Sequence, residues 1–155
     1  MKVEKLLIAV TGGTTDKDVL LMATTLARRF NATIYAIYVI EVKRSLPIDA
    51  EVGPEIEKGE GLLDSVEQWC ENAQVPVETA LLQTREVGPA IVDEAVERGV
   101  DGIFMGISQR KRPGEGDLGS AASYVLKNAP CRVWLSRGRL VPENAPTTGA
   151  DQAKL

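Results

Sequence analysis

Five short apolar runs alternate along this chain with four segments of helical periodicity, and that alternation leaves few folds open. Lys5 to Val10 is apolar after its charged start, as a strand buried on both faces requires. Thr14, Thr15 and Asp16 offer helix caps, and Val19, Met22, Ala23, Leu26 and Phe30 share one helical face ending near Phe30. Thr33 to Ile40 is β-branched and aromatic, predicting a second strand. Glu41 to about Gly59 is polar, contains Pro47 and Pro54, and reads as a long surface loop. Leu62, Val66, Trp69, Cys70 and Ala73 then form a helical stripe, followed by an alternating third strand through Val75, Val77, Thr79 and Leu81. A helix begins near Pro89 and stops before Gly99. Val100 to Met105 predicts the fourth strand, Gly119 to Asn128 the last helix, and Cys131 to Ser136 the fifth strand. The expected fold is α/β: a doubly wound, five-stranded, mostly parallel sheet in a three-layer α/β/α arrangement of Rossmann-like type.

In such sheets ligands lie beyond the carboxyl ends of the strands, where strand order reverses. Two glycine clusters fall in loops that open there. One is Gly12-Gly13 after the first strand. The other runs from Gly106 through a polar segment to Gly119-Ser120, where the last helix begins. The first amides of a helix lack intrahelical acceptors and carry partial positive charge, so Gly119, Ser120 and Ala121 could grip phosphate. The competing reading is an ordinary Gly-rich connection with a serine near the cap, and spacing alone leaves both open. Arg110, Lys111 and Arg112 either neutralise phosphates or form a solvated turn balanced by Glu115 and Asp117. Gly12-Gly13 either makes room for a ribose or simply turns the chain. Neither loop is a Walker P-loop, since no GKS or GKT follows a glycine. Trp134 alternates with Val133 and Leu135, and belongs to the core or to an interface.

Composition removes several functions. Among 155 residues there is no histidine, which excludes Ser-His and Cys-His nucleophiles and His-containing zinc sites. Carboxylates are numerous, but no close pair sits in an apolar run, so no acid/base machinery is visible. A net charge of −4 argues against general nucleic-acid binding. Cys70 and Cys131 form no CxxC motif and read as reduced thiols of a cytosolic protein. With no signal-peptide pattern and no apolar run of spanning length, the expectation is a cytoplasmic chain without membrane insertion. Residues 139–155 are rich in Pro, Thr, Ala and Gly and predict a disordered tail.

The segments IAVTGGTTDKDVLLMATTLARRFNATIYAIYVI and DGIFMGISQRKRPGEGDLGSAASYVLKNAPCRVWL resemble the universal stress protein family, whose fold is adenine nucleotide alpha hydrolase-like. The likeness covers residues 1–138 as one domain. ATP-binding members carry a G-x2-G-x9-G-[ST] pattern after the fourth strand. Gly106, Gly119 and Ser120 fall in register with it, and Ala129-Pro130-Cys131-Arg132-Val133 resembles the family's entry to the fifth strand. The resemblance implies that Ala9, Val10 and Thr11 lie beside ribose and adenine, and that Val39 meets the base through its backbone. It places Gly106, Ser108, Gln109, Arg110, Gly119, Ser120 and Ala121 around phosphates and ribose. Thr11 stands where ATP-binding members usually have aspartate, and Gln109 where they have the second glycine. A bulky Gln109 would narrow the phosphate region and favour AMP or cyclic AMP over ATP.

The implied protein is a homodimer paired through the fifth strand. It binds ATP or AMP, with Mg held through the phosphates, and regulates a stress response through an unidentified protein partner. The alternatives are a ligand-free interaction module or a slow ATPase. The implied mechanism is a population shift in which ligand orders the loop from Gly106 to Leu118.

Overall fold

The computed structural model describes residues 1–107 and 119–138. Its elements are β1 (Lys5–Val10), α1 (Asp16–Phe30), β2 (Thr33–Glu41), α2 (Gly53–Asn72), β3 (Val77–Thr84), α3 (Val87–Arg98), β4 (Gly102–Ile107), α4 (Ser120–Asn128) and β5 (Arg132–Arg137). The strands form one sheet in the order β3-β2-β1-β4-β5, and every pairing is parallel. The chain winds outward from β1 to β3, returns to lay β4 on the other side of β1, and ends at β5. Strand order therefore reverses between β1 and β4, and a crevice opens at their carboxyl ends.

β1 is central, and its alternating side chains feed two cores. Leu6, Ile8 and Val10 pack with Val19, Ala23, Val66 and Cys70 under α1 and α2. Leu7 and Ala9 pack with Ile91, Ala95, Ala122 and Val125 under α3 and α4. This two-sided burial explains why β1 reads as an unbroken apolar run. Trp134 belongs to the core: its ring stacks on Phe104 of the adjacent strand at 4.6 Å between centroids. A side chain on Gly102 would collide with that indole, so glycine is what lets the tryptophan lie across β4.

Three sequence expectations shift. The surface loop predicted to reach Gly59 ends earlier, because α2 already begins at Gly53. Pro54 lies in its first turn, where a missing N–H costs no intrahelical bond. In α1 the buried stripe is Val19, Leu20, Ala23, Thr24 and Ala27, while Met22 and Phe30 face outward. Thr24 is tolerated inside because its hydroxyl donates to Leu20 O at 2.7 Å and accepts from Trp69 Nε1 at 3.3 Å. β4 starts two residues late because Asp101 is spent on the turn before it. Its carboxylate accepts from the amides of Glu4 (2.7 Å) and Lys5 (3.0 Å), tying the foot of β4 to the foot of β1.

Candidate functional site

At the carboxyl end of the sheet, residues from β1, β2, β4, α3 and both glycine turns line a cleft of about 790 Å³. That lies within the usual range for small-molecule sites, roughly 300–1,000 Å³. Of the residues singled out from the sequence, Ala9, Val10, Thr11, Val39, Gly106, Gly119, Ser120 and Ala121 all line it. Ser108, Gln109, Arg110 and the rest of the segment to Leu118 lie outside the described residues.

Each wall follows from local structure. On the α3/α4 side, Ala9, Val39, Val87 and Ile91 give an apolar surface beside the start of α4. Gly119 is the N-cap of α4, at φ 77° and ψ 162°. That backbone region is essentially closed to residues with a Cβ. Among the described residues nothing lies within 4 Å of where its Cβ would be, and the requirement is conformational. With no side chain, Gly119 cannot cap the first turn, and the amides that open α4 have no intrahelical acceptor.

The opposite wall is the β1–α1 turn. Gly12 adopts φ +83°, a left-handed conformation that suits glycine. Asp16, the first residue of α1, turns its carboxylate back into this loop. It accepts from Gly12 N at 2.7 Å, from Thr11 N at 3.1 and 3.2 Å, and from the Thr11 hydroxyl at 3.2 Å. The Thr11 hydroxyl in turn accepts from Gly13 N at 3.1 Å. Thr11, expected beside a ribose, thus lines the cleft with its loop already braced. A carboxylate also stands next to it, supplied from five residues along the chain.

Gly106 lines the cleft and also has a packing role that the sequence did not suggest. The space its Cβ would fill is held by the Thr15 side chain, so this glycine allows the close approach of β4 to α1. Thr15 itself is buried and lines the cleft, and its hydroxyl makes no cap bond.

Sequence reasoning missed Lys58. It stands on α2, outside the predicted helix, yet it carries the one formal charge among the described lining residues. Its Cε and Nζ lie 3.0 and 3.4 Å from where a Gly12 Cβ would be. The sequence held no signal for this, because α2 appeared to start beyond residue 58. Among the described residues no group of three or more His, Cys, Asp or Glu side chains could hold a metal. Nor is any helix among them long and apolar enough to cross a membrane.

The fold and this cleft define a doubly wound α/β domain with a switch-point site. The universal stress protein family matches residues 2–137, and the chain belongs to that family. It is 30% identical over 136 residues to universal stress protein MJ0531 of Methanocaldococcus jannaschii, covering 84% of this chain and 79% of that one. Among solved structures it resembles the universal stress protein from Archaeoglobus fulgidus in complex with dAMP. That likeness has a TM-score of 0.69 and 21% identity, over 87% of this chain and 98% of the other. It also resembles an Arabidopsis thaliana family protein with AMP bound, with a TM-score of 0.63 and 16% identity, over 91% and 97% of the two chains.

Proposed function

We propose that this chain is an adenine-nucleotide-binding universal stress protein that acts through contacts with other proteins. The observation that carries the reading is the Gly119 cap: a glycine-only backbone conformation, with no side chain to cap the helix, sets the start of α4 in a cleft with an apolar wall beside it. In this reading adenine rests against Ala9, Val39, Val87 and Ile91. The phosphate meets the amides of Ser120 and Ala121 and the hydroxyl of Ser120, and the ribose bridges them beneath Thr11 and Gly12. Two family members with the same fold bind AMP or dAMP, which favours a nucleoside monophosphate as the first ligand to test. Mg, where it accompanies a nucleotide, would be carried by the phosphates.

β5 is an edge strand whose one ladder runs to β4, with Val133 and Leu135 half-buried against the α3/α4 core. Pairing two copies through that edge would cover it, and a homodimer is the assembly we assign. The lack of any histidine and of a metal cluster among the described residues favours a binding role over turnover, in a cytoplasmic setting.

The test is to denature freshly purified protein, analyse the supernatant for nucleotides by mass spectrometry, and titrate the emptied, refolded chain with AMP, ATP and cyclic AMP. Released adenine nucleotide or saturable heat is the expected result. An empty supernatant with flat titrations would make the chain a ligand-free interaction module.

A further inference from the structure

The two walls of the cleft differ in charge, and the difference points to a specific ligand class. Ala9, Val39, Val87, Ile91 and the start of α4 all lie on the α3/α4 side of the sheet. Lys58, Tyr38 and Val10 lie on the α1/α2 side, where the Lys58 ammonium stands over Gly12. Building on the nucleotide reading above, base and 5′-phosphate both occupy the α3/α4 side. A ribose joined to the base at C1′ and to that phosphate at C5′ has two other oxygen substituents, O2′ and O3′. They project away from base and phosphate, toward the wall that holds Lys58.

A plain ribose edge is usually met by a carboxylate, which accepts from its hydroxyls, whereas a phosphorylated edge needs a cation. Here the nearby carboxylate is consumed. Asp16 spends its oxygens on the Thr11 and Gly12 amides and the Thr11 hydroxyl. Among the described residues no acidic group lies within ion-pairing distance of the Lys58 ammonium. We infer that Lys58 is a specificity-determining residue that selects adenine nucleotides carrying a second phosphate on the ribose, at O2′ or O3′, over AMP.

The experiment is titration calorimetry on the full chain with AMP, adenosine 2′,5′-bisphosphate and adenosine 3′,5′-bisphosphate, repeated with Lys58→Gln and Lys58→Arg. A charge-assisted contact at a solvent-open site predicts that one bisphosphate binds about tenfold tighter than AMP, a margin that shrinks as salt is raised. Which bisphosphate shows it identifies the oxygen. In Lys58→Gln the ratio falls to about one through loss on the bisphosphate side, and Lys58→Arg restores it. If AMP binds but neither bisphosphate binds tighter, the inference is overturned while the nucleotide reading stands. Equal weakening of AMP and bisphosphates by Lys58→Gln overturns it too, since Lys58 would then serve the 5′-phosphate. If none of the three binds the wild-type chain, the nucleotide reading itself fails and this inference falls with it.

Discussion

The two ends of the sheet use the same device for opposite purposes. At the amino end the Asp101 carboxylate accepts from two backbone amides, and at the carboxyl end Asp16 does the same. Around Asp101 the chain closes on itself: Lys5 Nζ donates to Arg98 O at 3.2 Å, and left-handed residues Asn31, Gln74 and Gly99 stop helices so that strands follow directly. Around Asp16 the described residues leave a cleft instead. Its bonds hold the β1–α1 turn in shape, while across the crevice Gly119 gives the first amides of α4 no side-chain cap. One end is closed by backbone bonds, and the other opens as the cleft to which we assign the nucleotide.

Substitutions should separate the two ends. Gly106→Val drives a side chain into Thr15 beneath the cleft, and overpacking of this kind costs about 3 kcal/mol. Denaturant melts would show that loss, and binding would go with it because the cleft floor moves. Asp101→Ala strands two amides at the closed end and should cost about 1–3 kcal/mol, with ligand affinity unchanged.

The same aspartate predicts a pH signature. Its pKa is held below the ordinary value, first by the bond from the Glu4 amide and then by that from Lys5. Its stabilisation is therefore complete above the unfolded pKa, about 3.9, and is lost as pH falls through the lower folded value. Stability curves of wild type and Asp101→Asn should converge below about pH 4. Asp16→Ala is the mirror case: about 1 kcal/mol in stability, and a severalfold loss of nucleotide affinity as the Thr11–Gly12 turn loosens. Smallest is Gly99→Ala, where nothing crowds the new Cβ and only the φ of +63° resists it. Its expected cost is about 1 kcal/mol in a thermal melt, with no effect on binding.

The architecture was legible because each layer leaves its own period. β1 is buried on both faces and so reads as an uninterrupted apolar run, and α3 ends where Gly99 can turn left-handed. The α4 wall of the cleft was legible for a similar reason, since Gly119-Ser120 combines a backbone requirement with a helix start. What escaped was whatever depends on tertiary approach. Pro54 looked like a loop residue because first-turn prolines and loop prolines are identical in sequence, and with α2 shortened Lys58 disappeared from view. The packing of Gly106 against Thr15 also escaped, because sequence cannot tell when a glycine makes room for its own neighbour. Met22 and Phe30 were placed inward on a stripe that a small rotation replaces with Leu20, Thr24 and Ala27.

The most direct test of the open end compares AMP binding by titration calorimetry in the wild-type chain and in Gly119→Val. The valine's Cβ meets no atom of the described residues but the side chain cannot hold the cap's backbone angles, so the helix amides turn away from the cleft. The account predicts saturable binding by the wild type and at least about a tenfold loss in a variant that remains folded. Equal affinity in the two proteins, or no binding by either, would contradict it.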